Sequence, residues 1–291
     1  MLTEKYLAGL IDADGSFGVR YFRRSQGDFR PAMWLQVSQK ATKNRILYLL
    51  QESFGGTVHT VDTTTGYGGS ATSMWSVPHT EAMKLLYRLD KYMVVKRGRA
   101  PLMIDYIHNN RRVAEDRLAA HRAQLDILRR FSHKIPNYPS RKWMAGYFDG
   151  DGCFASRLDK KSGYAYLSLR VTAHKDDANG VSLLHKAFGG LINCSKGENL
   201  PCWVLHLPPS KALQVVGHFA NNAVIKRAEA FFVLGCAKGG NYRDGNTIHE
   251  ALKHLKAREQ RLNDRDVDVA QYLSKVDFGV EDGRGKYPRK R

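Results

Sequence analysis

Apolar residues crowd almost the whole circumference of a helix in YLAGLIDADGSF (6–17) before the run stops in acids and glycine, and WMAGYFDGDGCF (143–154) does the same. Thr3 is placed to cap the start of the first predicted helix and Gly15 to end it; Ser140 and Gly152 hold those places in the second. After each helix the period shifts to two. Phe17, Val19 and Tyr21 alternate with Ser16, Arg20, Phe22 and Arg24, and Met33, Leu35 and Val37 with Trp34, Gln36 and Ser38. One sheet face is therefore apolar and the other polar and basic. Leu167, Leu169 and Val171 repeat the inward set, leaving Tyr166, Ser168, Arg170 and Thr172 outward. Helical spacing returns near 79–89 and 210–220, and TTTGYGGSATS (63–73) reads as a Gly-rich hairpin tip.

The repetition extends beyond one motif. LYLLQESFGGTV (47–58) is echoed by VSLLHKAFGGLI (181–192), LQVSQK (35–40) by LRVTAHK (169–175) and MVVKRGRA (93–100) by AVIKRAEA (223–230), all in the same order. The period is too long for a solenoid, so the chain reads as two diverged copies of one domain. Each copy runs helix, two strands, helix, two strands, helix. We expect an α+β fold of two pseudo-symmetric αββαββα domains at 1–110 and 140–262, joined by a helical linker at 111–139 and followed by a basic extension at 263–291.

Composition narrows the function. With 291 residues, 43% of them apolar, the chain can build two cores. Forty-six Lys and Arg against twenty-eight Asp and Glu give a net charge of +18, far beyond what solubility requires. A polyanion is the expected partner. Nucleic acid fits better than a membrane surface, because the basic residues lie on predicted strands as well as helices. No run of about eighteen apolar residues is present, and acids interrupt the amino-terminal apolar stretch, so a soluble, intracellular protein with no membrane association is expected. Cys153, Cys194, Cys202 and Cys236 lack CxxC spacing and paired histidines, so they are expected to be buried or half-buried thiols.

Gly9 with Ala13, and Gly146 with Gly150, give each motif helix a small-residue stripe along which two backbones can approach closely. Packing the two helices on those stripes would bring Asp14 and Asp151 together at the pseudo-twofold axis. A helix C-terminus is already partly negative, and two close carboxylates raise each other's pKa, so a divalent cation is the natural compensation. Carboxylate oxygens suit Mg²⁺, which takes further ligands from water and substrate phosphates. An isolated DxDG would merely end a helix in solvated acids. Two copies, each heading a matched half of a basic chain, point to a phosphodiester site.

LAGLIDADG (7–15) and MAGYFDGDG (144–152) resemble the signature of the LAGLIDADG homing endonucleases in its two-motif, monomeric form. The resemblance runs from about residue 3 to about residue 262. It implies two four-stranded antiparallel sheets forming a saddle on double-stranded DNA, and a metal-dependent cut in each strand of a long, asymmetric site. The cation expected is Mg²⁺, with Mn²⁺ able to substitute and Ca²⁺ supporting binding without cleavage. The resemblance assigns metal binding to Asp14 and Asp151, aided by the carbonyls of Ala13 and Gly150. It matches Lys96 and Lys226 to active-site lysines at the start of the last helix of each half. Gln39 matches a residue that orients water; its counterpart is Ala173, so unequal strand-cutting sites are expected.

The alternation then nominates Ser16, Arg20, Phe22, Arg24, Arg30, Trp34, Gln36 and Ser38 to face one half-site, and Arg157, Lys161, Tyr164, Tyr166, Ser168 and Arg170 the other. His59 and Asn193 occupy matched positions on each third strand. An intron maturase acting on its host intron RNA, or a regulator that binds DNA without cutting it, would use the same fold, and metal-dependent cleavage separates the enzyme from both.

Overall fold

The computed structural model describes residues 1–61, 71–131, 139–173, 178–194, 200–239, 242 and 244–257. Most of the proposed hairpin tip, part of the linker and the whole 263–291 extension lie outside these residues.

Helix α1 (Glu4–Ala13) begins where the Thr3 hydroxyl accepts from the Tyr6 amide, and α6 (Arg141–Asp151) where the Ser140 hydroxyl accepts from the Trp143 amide. Both caps satisfy amides that a first helical turn leaves unpaired. The chain turns directly from each helix into a strand. In the first half, β1 (Gly15–Arg23), β2 (Phe29–Lys40), β3 (Thr57–Val61) and β4 (Thr72–Val77) form an antiparallel sheet in the order β1-β2-β4-β3. In the second, β5 (Gly152–Asp159), β6 (Tyr164–Thr172), β7 (Leu191–Cys194) and β8 (Pro201–His206) repeat that order as β5-β6-β8-β7.

The registers coincide: Phe17 pairs with Leu35 as Phe154 pairs with Leu169. These residues face inward, onto α2 (Arg45–Phe54) and α3 (His79–Asp90) in one half and α7 (Asn179–Phe188) and α8 (Pro209–Ala220) in the other. Trp75 and Trp203 are fully buried, and each indole donates at 2.7 Å to the carbonyl of Gly55 or Gly189. The repeated FGG exists for this contact. Gly55, Gly56, Gly189 and Gly190 all have positive φ, and a Cβ on Gly56 or Gly190 would stand 2.9 Å from the indole nitrogen.

Two helices follow the last strand of each half: α3 and α8 at the predicted helical spacing, then α4 (Arg99–Asn109) and α9 (Arg227–Lys238) just after Lys96 and Lys226, and α10 (Gly245–Ala257) packs beneath β5 and β6. Helix α5 (Leu118–Arg130) lies in the stretch between the two sheets. A Cβ at Gly18 would come within 3.2 Å of Arg129 Nη2, so the glycine makes room for this arginine on the outer face of β1. All four thiols are free; Cys194 is exposed rather than buried or half-buried, while burial pushes the Cys236 thiol up to about 12. Among the described residues no helix is long and apolar enough to cross a membrane.

Candidate active site at the helix interface

Helices α1 and α6 meet with their backbones in direct contact. A Cβ on Gly9 would lie 2.0 Å from the Trp143 carbonyl oxygen, and one on Gly146 would lie 2.1 Å from that of Tyr6. No side chain fits at either place. The same closeness persists to the helix ends, where a Cβ on Gly150 would touch Ala13 Cβ at 2.4 Å and approach Asp14 Cγ at 3.3 Å. The last turn of α6 therefore stands beside the Asp14 carboxylate, as the small-residue stripes require. Asp151 closes α6, half-exposed at the same end of the interface.

The two acids of each motif have opposite surroundings. Asp12 is buried and accepts from the amides of Val94 and Lys96 at 2.7 and 2.9 Å and from the Trp143 indole at 2.8 Å. Asp149 is buried and accepts from the amides of Val224, Ile225 and Lys226 at 2.6, 3.1 and 2.9 Å and from the Tyr6 hydroxyl at 2.6 Å. Each staples the turn before α4 or α9 to its own motif helix. Each also bonds an aromatic of the opposite motif helix. Burial pushes the Asp12 carboxyl up, and Lys96 with the donated hydrogen bonds opposes that. Tyr6 is raised well above the usual tyrosine range by burial first and Asp149 next.

Asp14 instead is exposed at the surface, although its carboxylate is hemmed in by protein. Desolvation pushes its carboxyl up, with Lys226, the hydrogen bond from Gln39 and Lys96 pulling the other way. Gln39 Nε2 donates to Asp14 Oδ2 at 2.7 Å, which fixes the rotation of the carboxylate. The counterpart Ala173 is buried and offers no such donor. Lys96 lies in the turn before α4 and its ammonium donates to the carbonyls of Ile11 and Gly15 at 2.6 and 2.7 Å. Lys226 is the N-cap of α9, and its ammonium donates to the carbonyls of Phe148, Asp149 and Gly150. Both cations therefore sit on the negative ends of the motif helices, beside the acids.

The sheets present their outer faces on either side of this centre. Arg20 stacks over the Trp34 ring at 4.5 Å and approaches Gln36 Oε1 at 3.4 Å, and Arg157 lies over the Tyr166 ring at 5.2 Å. Ser16, Phe22, Ser38, His59, Arg170 and Asn193 also fall on these faces, and Lys161 and Tyr164 lie at the β5–β6 turn. Ser168 shares the outer face but is covered, with Arg170 Nε 3.4 Å from its hydroxyl. Arg24 lies past the end of β1 and pairs with Asp28 at 3.5 Å across the turn, and Arg30 is exposed near it.

Three groups near the centre carried no sequence signal. Arg99 and the linker's Arg129 join Lys96 around a small cleft against Ser16. Glu229, which matches Arg99 in the repeated KRGRA and KRAEA, is buried, and desolvation pushes its carboxyl up. The two halves thus differ in charge at equivalent points. A buried Trp143 and Tyr6, each with a polar tip to satisfy, were the available hint that Asp12 and Asp149 serve the fold.

Oxygen ligands dominate the centre. Among the described residues no group of three or more His, Cys, Asp and Glu gathers as a metal cage. Two carboxylates with nearby carbonyls match a hard cation completed by water and phosphate, rather than a closed structural site.

The model of the LAGLIDADG endonuclease family matches residues 7–98 and 144–234, which hold both motifs, both sheets and both lysines. No curated protein matches. Among solved structures, I-SmaMI bound to uncleaved DNA target in the presence of calcium ions is similar, with a TM-score of 0.64 at 19% identity over 90% of this chain and all of that one. I-GzeII in complex with its DNA target gives 0.63 at 17% identity over 98% and 100%, and I-SmaMI bound to cleaved DNA gives 0.63 at 19% over 98% and 99%. The fold is shared with these proteins, and the two matched repeats settle the family: the chain belongs to the LAGLIDADG endonucleases, DNA-cleaving hydrolases.

Proposed function

We propose that the protein makes a double-strand break at one long, asymmetric DNA site, hydrolysing one phosphodiester in each strand, and so drives homing of its own gene. The adjacency of Asp14 to Gly150 at the tip of the α1–α6 interface, between two basic sheet faces, carries this reading. Asp14 and Asp151, with the carbonyls of Ala13 and Gly150, would hold divalent cations, Mg²⁺ in the cell. The calcium ions with I-SmaMI on its uncleaved target support divalent cation use of this kind. When bound, such a cation supplies charge neutralisation at the scissile phosphate and acidifies an attacking water.

The chain's own residues do the rest. The sheets bind and orient the duplex by phosphate and base-edge contacts. Gln39 holds the Asp14 carboxylate in one rotation. Lys96 and Lys226 fix the carbonyl ends of the motif helices and hold positive charge where a phosphate would develop negative charge.

Two readouts test the proposal. Affinity for the target should fall steeply with salt, with a log–log slope of about −0.9 per phosphate neutralised, and a flat response contradicts binding by the basic faces. Ca²⁺ in place of Mg²⁺ should keep binding and stop cutting. The Gln39/Ala173 difference adds an expectation: strand-resolved kinetics should show two unequal cuts, and Gln39→Ala should slow the first-half cut by about tenfold while leaving the other cut nearly unchanged. Equal slowing of both strands would remove Gln39 from its one-sided role.

A further inference from the structure

At the end of β1 and β2 furthest from the acids, the strand turn meets the start of α3 and the end of α4, and a cleft of about 500 Å³ opens there. Arg24, Arg30, Arg111, Arg112, His79 and His108 line it. The first residues of β2 explain the opening, because β4 pairs with β2 only from Leu35 onward. Phe29 and Val113 exchange backbone hydrogen bonds at 2.8 and 2.9 Å, and the Met33 amide donates to His79 Nδ1 at 2.8 Å. Between these ties stands Pro31, which has no amide hydrogen to satisfy, so no segment has to close over the strand. The acids at hand are Asp28, engaged by Arg24 at 3.5 Å, Glu115, engaged by Arg23 at 3.4 Å, and Glu81 near His79. Cations outnumber them.

The second half seals the same place. Ala165, four residues before Leu169 as Pro31 is before Leu35, donates to the Tyr242 carbonyl at 2.8 Å. The Gly245 amide donates to the Gly163 carbonyl, and Tyr242 is buried in the seam. Among the described residues, the equivalent place in the second half is closed by this seam and the basic cleft stands in the first.

We propose that this cleft holds a backbone phosphate of the target duplex just beyond the first half-site, a one-sided clamp that gives the enzyme an end-to-end polarity on DNA. The inference rests on the endonuclease reading. Guanidinium groups pair with phosphate through two parallel hydrogen bonds, which suits a cleft of four arginines. The nine residues of β1 lead outward from the acids. At about 3.3 Å per residue they span roughly 30 Å, or about nine base pairs at 3.4 Å each.

The test uses Arg111→Ala/Arg112→Ala, a pair that lines the cleft and belongs neither to the acidic centre nor to a sheet strand. Duplexes carrying the cleaved locus are trimmed to about nine base pairs from the cut on one side, then on the other. Wild type should lose about tenfold in affinity on trimming one side only. The variant should bind the untrimmed duplex about tenfold more weakly than wild type, ignore trimming on that side, and still cut at saturating concentration. Symmetric losses, or a variant that matches wild type on the untrimmed duplex, overturn the proposal. If no locus is cut, the endonuclease reading fails, and the cleft is read separately on a random-sequence duplex. There the salt slope of the variant should be shallower by about 0.9 per lost phosphate contact than that of Lys84→Ala/Lys253→Ala, which removes equal charge on the helical side. Equal slopes overturn the clamp independently.

Discussion

Asp14→Asn and Asp151→Asn should each abolish double-strand cutting, lowering the rate by at least about 10³-fold, while leaving affinity for the target within about threefold. The amide keeps the shape and volume of the carboxylate and removes only the charge on which a cation depends. Binding should survive because, in the proposed reading, the phosphate contacts come from the sheets. The surroundings of Asp14 add a signed expectation. In the metal-free protein desolvation holds its carboxyl above the ordinary carboxylate range, so the apparent affinity for the cation should fall on acidification at a higher pH than an unperturbed aspartate would give.

The same shift fixes the direction for stability. A carboxyl whose folded pKa is raised binds more protons folded than unfolded between the two pKa values, so stability falls as pH rises through that window. Above it the ionised Asp14 works against the fold, and Asp14→Asn should keep or raise the melting temperature. A variant that lost cutting together with several degrees of melting temperature would mark Asp14 as a structural acid. That behaviour is expected of Asp12 and Asp149, whose removal leaves buried amides and an indole or phenol without acceptors.

The second large effect belongs to the interface. Gly146→Val places its Cβ 2.1 Å from the Tyr6 carbonyl oxygen and 2.9 Å from the Leu10 amide nitrogen, where backbone cannot yield locally. The helices must separate, so a destabilisation of about 3 kcal/mol or more is expected, together with loss of cutting as Asp14 leaves the last turn of α6. Gly217→Ala is the control. Nothing lies within 4 Å of its added Cβ in α8, so alanine should be neutral or stabilise by up to about 1 kcal/mol. Denaturant unfolding of both variants checks the pair, and a Gly146→Val protein as stable as wild type would refute backbone-level packing of α1 on α6.

Patterns that depend on one element were visible in the sequence, and those that depend on two elements meeting were not. The alternation of Phe17, Val19, Met33, Leu35 and Val37 gives the inner face because a strand has only two faces to choose between. Thr3 and Ser140 announce their helices because capping is local. Asp12 and Asp14, by contrast, look alike in LIDADG. Their difference arises because the turn at 94–96 and the indole of Trp143 arrive from elsewhere in the chain to bury one of them. The ammonium groups of Lys96 and Lys226 likewise reveal their helix-end carbonyls only in three dimensions. Ser168 alternates outward as expected, yet neighbouring side chains cover it, because alternation sets direction and not exposure. The cleft at Pro31 needs three segments to meet, and a proline in a predicted strand signals only an edge.

Whether the protein is a metal-dependent nuclease is decided most directly by incubating it with a plasmid carrying its gene's insertion locus without the insertion, in Mg²⁺ and in EDTA. One double-strand break at one position, present in Mg²⁺ and absent in EDTA, is the result expected if Asp14 and Asp151 hold the cation between two sheets that bind DNA. Tight, specific binding with the plasmid left intact in Mg²⁺ would contradict it.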